Sequence, residues 1–121
     1  MKIDIKKYRG NSSPSFTGRP EGESARRDAK LDKLDKDKEK YLVEIPIGTT
    51  AFNPSFFLGF FYDSIKIMGI EKFESKYEIV VLEEDQKLKE HLEIDISEGK
   101  RHALNQLNSK GGGLLKFLKR K

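Results

Sequence analysis

The 121-residue sequence contains no cysteine. That absence removes disulfides, thiol catalysis and thiolate metal sites. Long apolar runs are missing too. The longest, residues 56–62, falls far short of the roughly 20 residues that a membrane-spanning helix needs. The opening Met1-Lys2-Ile3-Asp4-Ile5-Lys6 lacks the apolar stretch of a secretory signal. A soluble, cytoplasmic protein is the resulting expectation. There are no internal repeats, no Walker-type loop and no HExxH spacing. His91 and His102 stand eleven residues apart, too far along one helix to share a metal ion, so no metal site and no cofactor are expected. No pair of carboxylates stands out as an acid/base couple, and a non-enzymatic role follows as the expectation.

What is present is charge. Hydrophobic and charged residues each make up 36% of the chain, so the apolar side chains must concentrate in a few segments. Twenty-four Lys and Arg against 20 Asp and Glu leave a net charge of +4. Lys116, Lys119, Arg120 and Lys121 at the end of the chain account for that excess. The rest is near neutral with the signs interspersed, which gives little support for a polyanion partner. The length suits one α/β domain over residues 1–110, followed by a basic tail over 111–121 that opens with Gly111-Gly112-Gly113. The tail is a short basic amphipathic stretch that could touch a membrane surface or an acidic partner, although so short a tail is more often a frayed terminus or a last docking turn.

Period-2 alternation at Ile3 and Ile5 predicts a strand over residues 1–8. Residues 10–21 have loop composition, and a weakly amphipathic, Lys/Asp-alternating helix follows over about 22–40. Residues 41–47 read as a strand with Pro46 at its end, and residues 77–82 as a third, more continuously apolar and hence central strand. A three- to four-stranded sheet packed with helices is the expected architecture. Residues 70–75 form a helical turn or loop. Residues 83–107 favour helix with a break at Gly99, and an alternating strand over 92–96 is the other reading.

The most informative segment is residues 54–68. Asn53 and Pro54 form a good N-cap and first-turn pair, and Gly69 is a stop. At about 100° per residue, Ser55, Gly59, Asp63 and Lys66 fall on one stripe beside Tyr62. Phe56, Phe57, Phe60, Phe61, Ile65, Ile67 and Met68 fill the opposite arc, which predicts a deeply packed helix. Gly59 is costly inside a helix, and the close approach of another backbone would explain it. A polar edge on an apolar helix is also what any α/β domain contains. Read as function, the stripe Ser55, Gly59, Tyr62, Asp63 and Lys66, with the turn at Thr49 and Thr50, is a partner-binding surface. A second reading is a small basic protein that binds nucleic acid, or mimics it and so inhibits a nucleic-acid process, through Arg19, Arg26, Arg27 and the tail.

The strand end Val43-Glu44-Ile45-Pro46-Ile47 followed by Phe52-Asn53-Pro54-Ser55-Phe56-Phe57-Leu58-Gly59 resembles the central segment of the STAS-like domain family. Thr17-Gly18-Arg19-Pro20-Glu21-Gly22 with Arg26 resembles that family's entry to its first helix. The likeness covers about residues 16–107. It implies a small mixed sheet with helices, and a regulatory protein–protein interaction module in the manner of anti-sigma factor antagonists. A GHKL-type ATPase or kinase is the partner class it implies. In such proteins a phosphorylated serine at the strand-to-helix turn controls binding, and Ser55 lies beside that position. Pro54 stands where the modified serine would be, and Phe56 replaces a small glycine, so phosphorylation of Ser55 is poorly matched.

Overall fold

Ile3 is buried between exposed Lys2 and Asp4, and Lys2–Asp4 forms the first strand, β1. The computed structural model describes residues 1–9 and 14–109. The predicted tail, residues 111–121, lies outside the described residues. Past β1 the chain does not stay extended to Tyr8 but winds into a 3₁₀ turn at Lys6–Tyr8. The order continues as β2 (Ser15–Phe16), α1 (Arg19–Ala29), α2 (Leu31–Leu34), β3 (Tyr41–Ile45) and β4 (Ala51–Phe52). Then come α3 (Pro54–Met68), α4 (Ile70–Lys76), β5 (Tyr77–Val81) and α5 (Gln86–Leu107).

Strands β1, β3 and β5 make a three-stranded sheet in that order, and β2 pairs with β4 in a second, two-stranded sheet. Every described pairing is parallel, not mixed. β3 is central and β5 lies at an edge, the reverse of the order expected from apolar content. The apolar run of β5 reflects Tyr77 and Val81 buried against helices rather than strands on both sides. Side chains in register share a face. Ile3, Tyr41, Val43, Ile45, Tyr77 and Val81 therefore form the buried face. Lys2, Asp4, Leu42, Glu44, Glu78 and Val80 occupy the other face, all of them exposed or half-buried.

The helix α3 forms with the caps its sequence announces. The Asn53 side chain accepts from the Ser55 amide at 2.8 Å, Pro54 opens the first turn, and Gly69 ends the helix at φ 84°. Phe56, Phe57, Phe60, Phe61 and Ile65 are fully buried, and Phe16, Phe52, Phe73 and Tyr77 extend their aromatic cluster. Ile67 departs from the predicted arc and is 69% exposed. Three helices form one layer, with α1 and α5 both packed against α3.

Glycines set the spacing of that layer. A Cβ on Gly59 would lie 2.2 Å from the Arg19 carbonyl oxygen and 2.7 Å from the Glu23 nitrogen. A Cβ on Gly22 would meet the Phe56 carbonyl oxygen at 2.3 Å. Gly59 is therefore not a surface residue; it is buried where α1 and α3 touch backbone to backbone. Gly99 does not break α5 but makes room for Phe57, whose Cγ would be 2.4 Å from an added Cβ. The alternative strand over residues 92–96 is helical as well.

The predicted helix over 22–40 starts earlier, at Arg19, and stops at Lys30. Lys30 adopts φ 59°, the one positive-φ non-glycine among the described residues. Only the short α2 follows before the chain turns toward β3. Gly59→Ala should destabilise the fold by about 1–3 kcal/mol, because backbone atoms cannot yield as a flexible side chain would. A lowered urea midpoint with an unchanged denaturant slope checks this.

Candidate functional site

Arg26 lies on α1 one turn beyond Gly22, and the close α1–α3 contact brings it against the middle of α3. It is 5% exposed. Its Nη1 donates to the Phe60 carbonyl at 2.9 Å and to Ser64 Oγ at 2.8 Å. Nη2 donates to Asp32 at 2.8 Å and to Asp35 at 2.7 Å, and Nε also reaches Asp32. The Asp35 side chain is 2% exposed. It accepts further from Ser64 Oγ at 2.8 Å and from the Tyr77 hydroxyl at 2.6 Å. This one carboxylate ties α1, the end of α2, α3 and β5 together. No buried side-chain nitrogen or oxygen among the described residues lacks a partner. Satisfaction of that kind is what makes a buried ion pair tolerable.

A second polar cluster sits beside the first at the start of β3 and β5. The Tyr41 hydroxyl donates to Asp37, and Lys76 Nζ donates to Asp37 Oδ1 and to the carbonyls of Asp37 and Glu39, each at 2.8 Å. Lys76 also lies 5.4 Å from the Tyr41 ring centre. The Lys76 ammonium and the Tyr41 hydroxyl hold Asp37 down to a pKa of about 2. The Asp37 bond and desolvation push Tyr41 up to about 12. Burial, then the Asp35 bond, also raises Tyr77.

The residues singled out from sequence separate into buried and exposed groups. Thr49 is buried, donating to the Pro46 carbonyl at 2.8 Å and accepting from Arg9. Thr50 is exposed, and its amide binds the Pro14 carbonyl. Ser55 is half-buried; its Oγ accepts from the Gly18 amide at 3.1 Å and donates to Asn53 at 2.6 Å. Gly59 and Tyr62 face α1, with Arg19 lying over the Tyr62 ring at 5.5 Å. Only Asp63 and Lys66 of the stripe are exposed. The stripe is thus chiefly the α1 contact rather than an open surface.

The three arginines are not equivalent. The donors of Arg26 are taken internally, and Arg19 pairs with Glu23 and Gln106. Arg27 alone is exposed without a described partner. His91 and His102 each face a carboxylate one turn away on α5, at 3.6 and 4.0 Å. Among the described residues, no group of three or more His, Asp or Glu is placed to hold a metal ion. None of the described helices is long and apolar enough to cross a membrane.

What sequence reasoning missed is the role of Asp35, Ser64 and Tyr77. A serine inside the phenylalanine-rich arc was the available signal at Ser64. Asp35 could not be told from its neighbours in a Lys/Asp alternation. In comparisons with known proteins, no family model, no curated protein and no solved structure matches the chain.

Removing Arg26 while leaving Asp35 buried should be severe. Arg26→Met is expected to cost about 3–5 kcal/mol in chemical denaturation. Tyrosines held protonated in the fold also set an alkaline limit. In the unfolded chain Tyr41 and Tyr77 ionise near pH ~10. Above that pH the native state binds more protons than the unfolded state, so stability falls as pH rises. The loss should begin near pH ~10 and continue through about 12, where Tyr41 ionises in the fold. Urea midpoints across that range should fall less steeply for Tyr77→Phe than for the parent chain.

Proposed function

We propose that the chain is a regulatory protein-interaction module that docks its partner on the open face of the β1–β3–β5 sheet. One observation carries the reading: a parallel sheet that the described helices cover on one side only. Parallel sheets are almost always covered on both faces. Here Lys2, Leu42 and Glu78 form one cross-strand row, and Asp4, Glu44 and Val80 form the next. Leu82 continues the pairing with an amide bond to the Ile45 carbonyl and is 38% exposed. The face therefore offers Leu42, Val80 and Leu82 as apolar contacts.

The charges on this face bear on the occupant. On the paired strand positions Asp4, Glu44 and Glu78 stand against Lys2, which already pairs with Glu44 at 3.6 Å, and Lys6 and Lys40 lie at the rim. A second copy of the same face would set acid against acid. A partner presenting a basic, partly apolar segment complements both the charge and the leucines. The STAS-like resemblance names a GHKL-type ATPase as the partner class, and it supports the same mode of action. Of the polar stripe of α3 only Asp63 and Lys66 are exposed, and they belong to the helix layer rather than to this face.

Titration against a purified GHKL-type ATPase from the same cell tests the reading. The double variant Leu42→Lys/Val80→Lys removes the apolar contact and adds two cations to the face. It should weaken binding at least about tenfold, with the melting transition retained. Asp63→Ala/Lys66→Ala should bind like the parent. Undiminished binding by the sheet variant would overturn the proposal. So would a parent dimer that this variant renders monomeric, since that would assign the face to a second copy.

A further inference from the structure

The Lys/Asp alternation between α1 and β3 is nearly neutral in sequence but not in space. Its aspartates, with Asp28 before them, are each engaged. Asp28 accepts from Tyr8 at 2.6 Å and pairs with Lys7. Asp32 and Asp35 bind Arg26 at 2.8 and 2.7 Å. Asp37 binds Lys76 and Tyr41. Arg27, Lys30, Lys33 and Lys36 are all exposed, and none is ion-paired with a described residue. These four line one depression of about 440 Å³, together with Arg26 and Asp32. The folded chain has separated the two signs, turning a balanced sequence into a basic concavity.

We propose that this concavity binds the phosphate backbone of duplex nucleic acid without reading its sequence. Four unpaired cations in one hollow suit a ligand carrying closely spaced negative charges. Three of the four are lysines, compact charges on flexible stems that tolerate a range of phosphate positions. Every residue lining the hollow is charged. It therefore offers no apolar wedge for a membrane surface and no aromatic platform on which single-stranded bases could stack. The rigid guanidinium of Arg26, the group best shaped for a carboxylate fork, is spent on Asp32 and Asp35. Contacts of this kind position a backbone and do not distinguish bases. The proposal is independent of the sheet-face reading, because the two surfaces share no residue.

The test uses the full chain and a fluorescein-labelled duplex oligonucleotide, followed by anisotropy across a salt series. Three to four phosphate contacts predict that log K falls with log salt with a slope of about −3. Lys33→Glu/Lys36→Glu should lower affinity at low salt at least about tenfold, with circular dichroism and melting unchanged because both side chains are exposed. The charge-matched control Lys87→Glu/Lys89→Glu on α5 should shift affinity by less than about twofold. Absence of binding at low salt would overturn the proposal. Parent-like binding by the Lys33/Lys36 variant would overturn it too, by placing the contacts elsewhere on the chain. Equal affinity for poly-glutamate or for phosphatidylserine vesicles would do the same.

Discussion

Two glycines, one on each of two helices, set the geometry on which most of this molecule depends. Gly22 and Gly59 let α1 and α3 meet with no side chain between them, each backbone filling the space where the other's Cβ would be. The close approach carries Arg26 to the Phe60 carbonyl and Ser64 on α3. With α1 fixed, Asp35 can be drawn to the same guanidinium, and the chain must turn after α2 rather than run on as helix. Gly99 plays the corresponding part on the other flank, seating α5 against Phe57. The helix layer is therefore assembled on a phenylalanine-rich spine whose neighbours come close because they lack side chains at the contacts.

The buried network follows from that assembly and in turn determines the surface. An arginine at the α1–α3 contact needs carboxylates, and Asp32 and Asp35 supply them. Asp35 needs further donors, and Ser64 and Tyr77 supply those. With Asp32 and Asp35 committed in this way, the neighbouring Lys33 and Lys36 have no ion-pair partner among the described residues. Core satisfaction and surface potential are in this sense one constraint: the polar groups that close the interior also make the outer side of α1 and α2 basic.

The two faces of the molecule consequently differ in chemistry. The sheet side carries mixed charges with leucine and valine between them, while the hollow beside α1 and α2 is lined by charged residues, five of the six basic. Neither uses the α3 stripe in the way its helical periodicity suggested. Periodicity reports which residues share a side of a helix. It does not report whether that side meets water or another helix, and small residues such as Gly59 fit both descriptions. The same ambiguity hid the sheet order. The continuous apolar run in β5 reads as a central strand, yet it is an edge strand whose side chains are filled by helices.

Local chemistry was legible in the chain wherever one residue acts on its own backbone. Asn53 and Pro54 begin α3, Gly69 ends it, and the phenylalanines of residues 56–61 turn to the core, because caps and amphipathic arcs need no distant partner. The absence of cysteine and of a long apolar run likewise excluded whole chemistries from composition alone. Tertiary structure decided the rest. It alone could show that Gly59 is a helix contact, that Arg26 is an internal group rather than an anion-binding one, and that the described helices leave one sheet face uncovered. It also decided which charges in a Lys/Asp alternation cancel and which remain. Those outcomes depend on groups tens of residues apart meeting in space, and no local pattern encodes which of several similar aspartates the fold will bury.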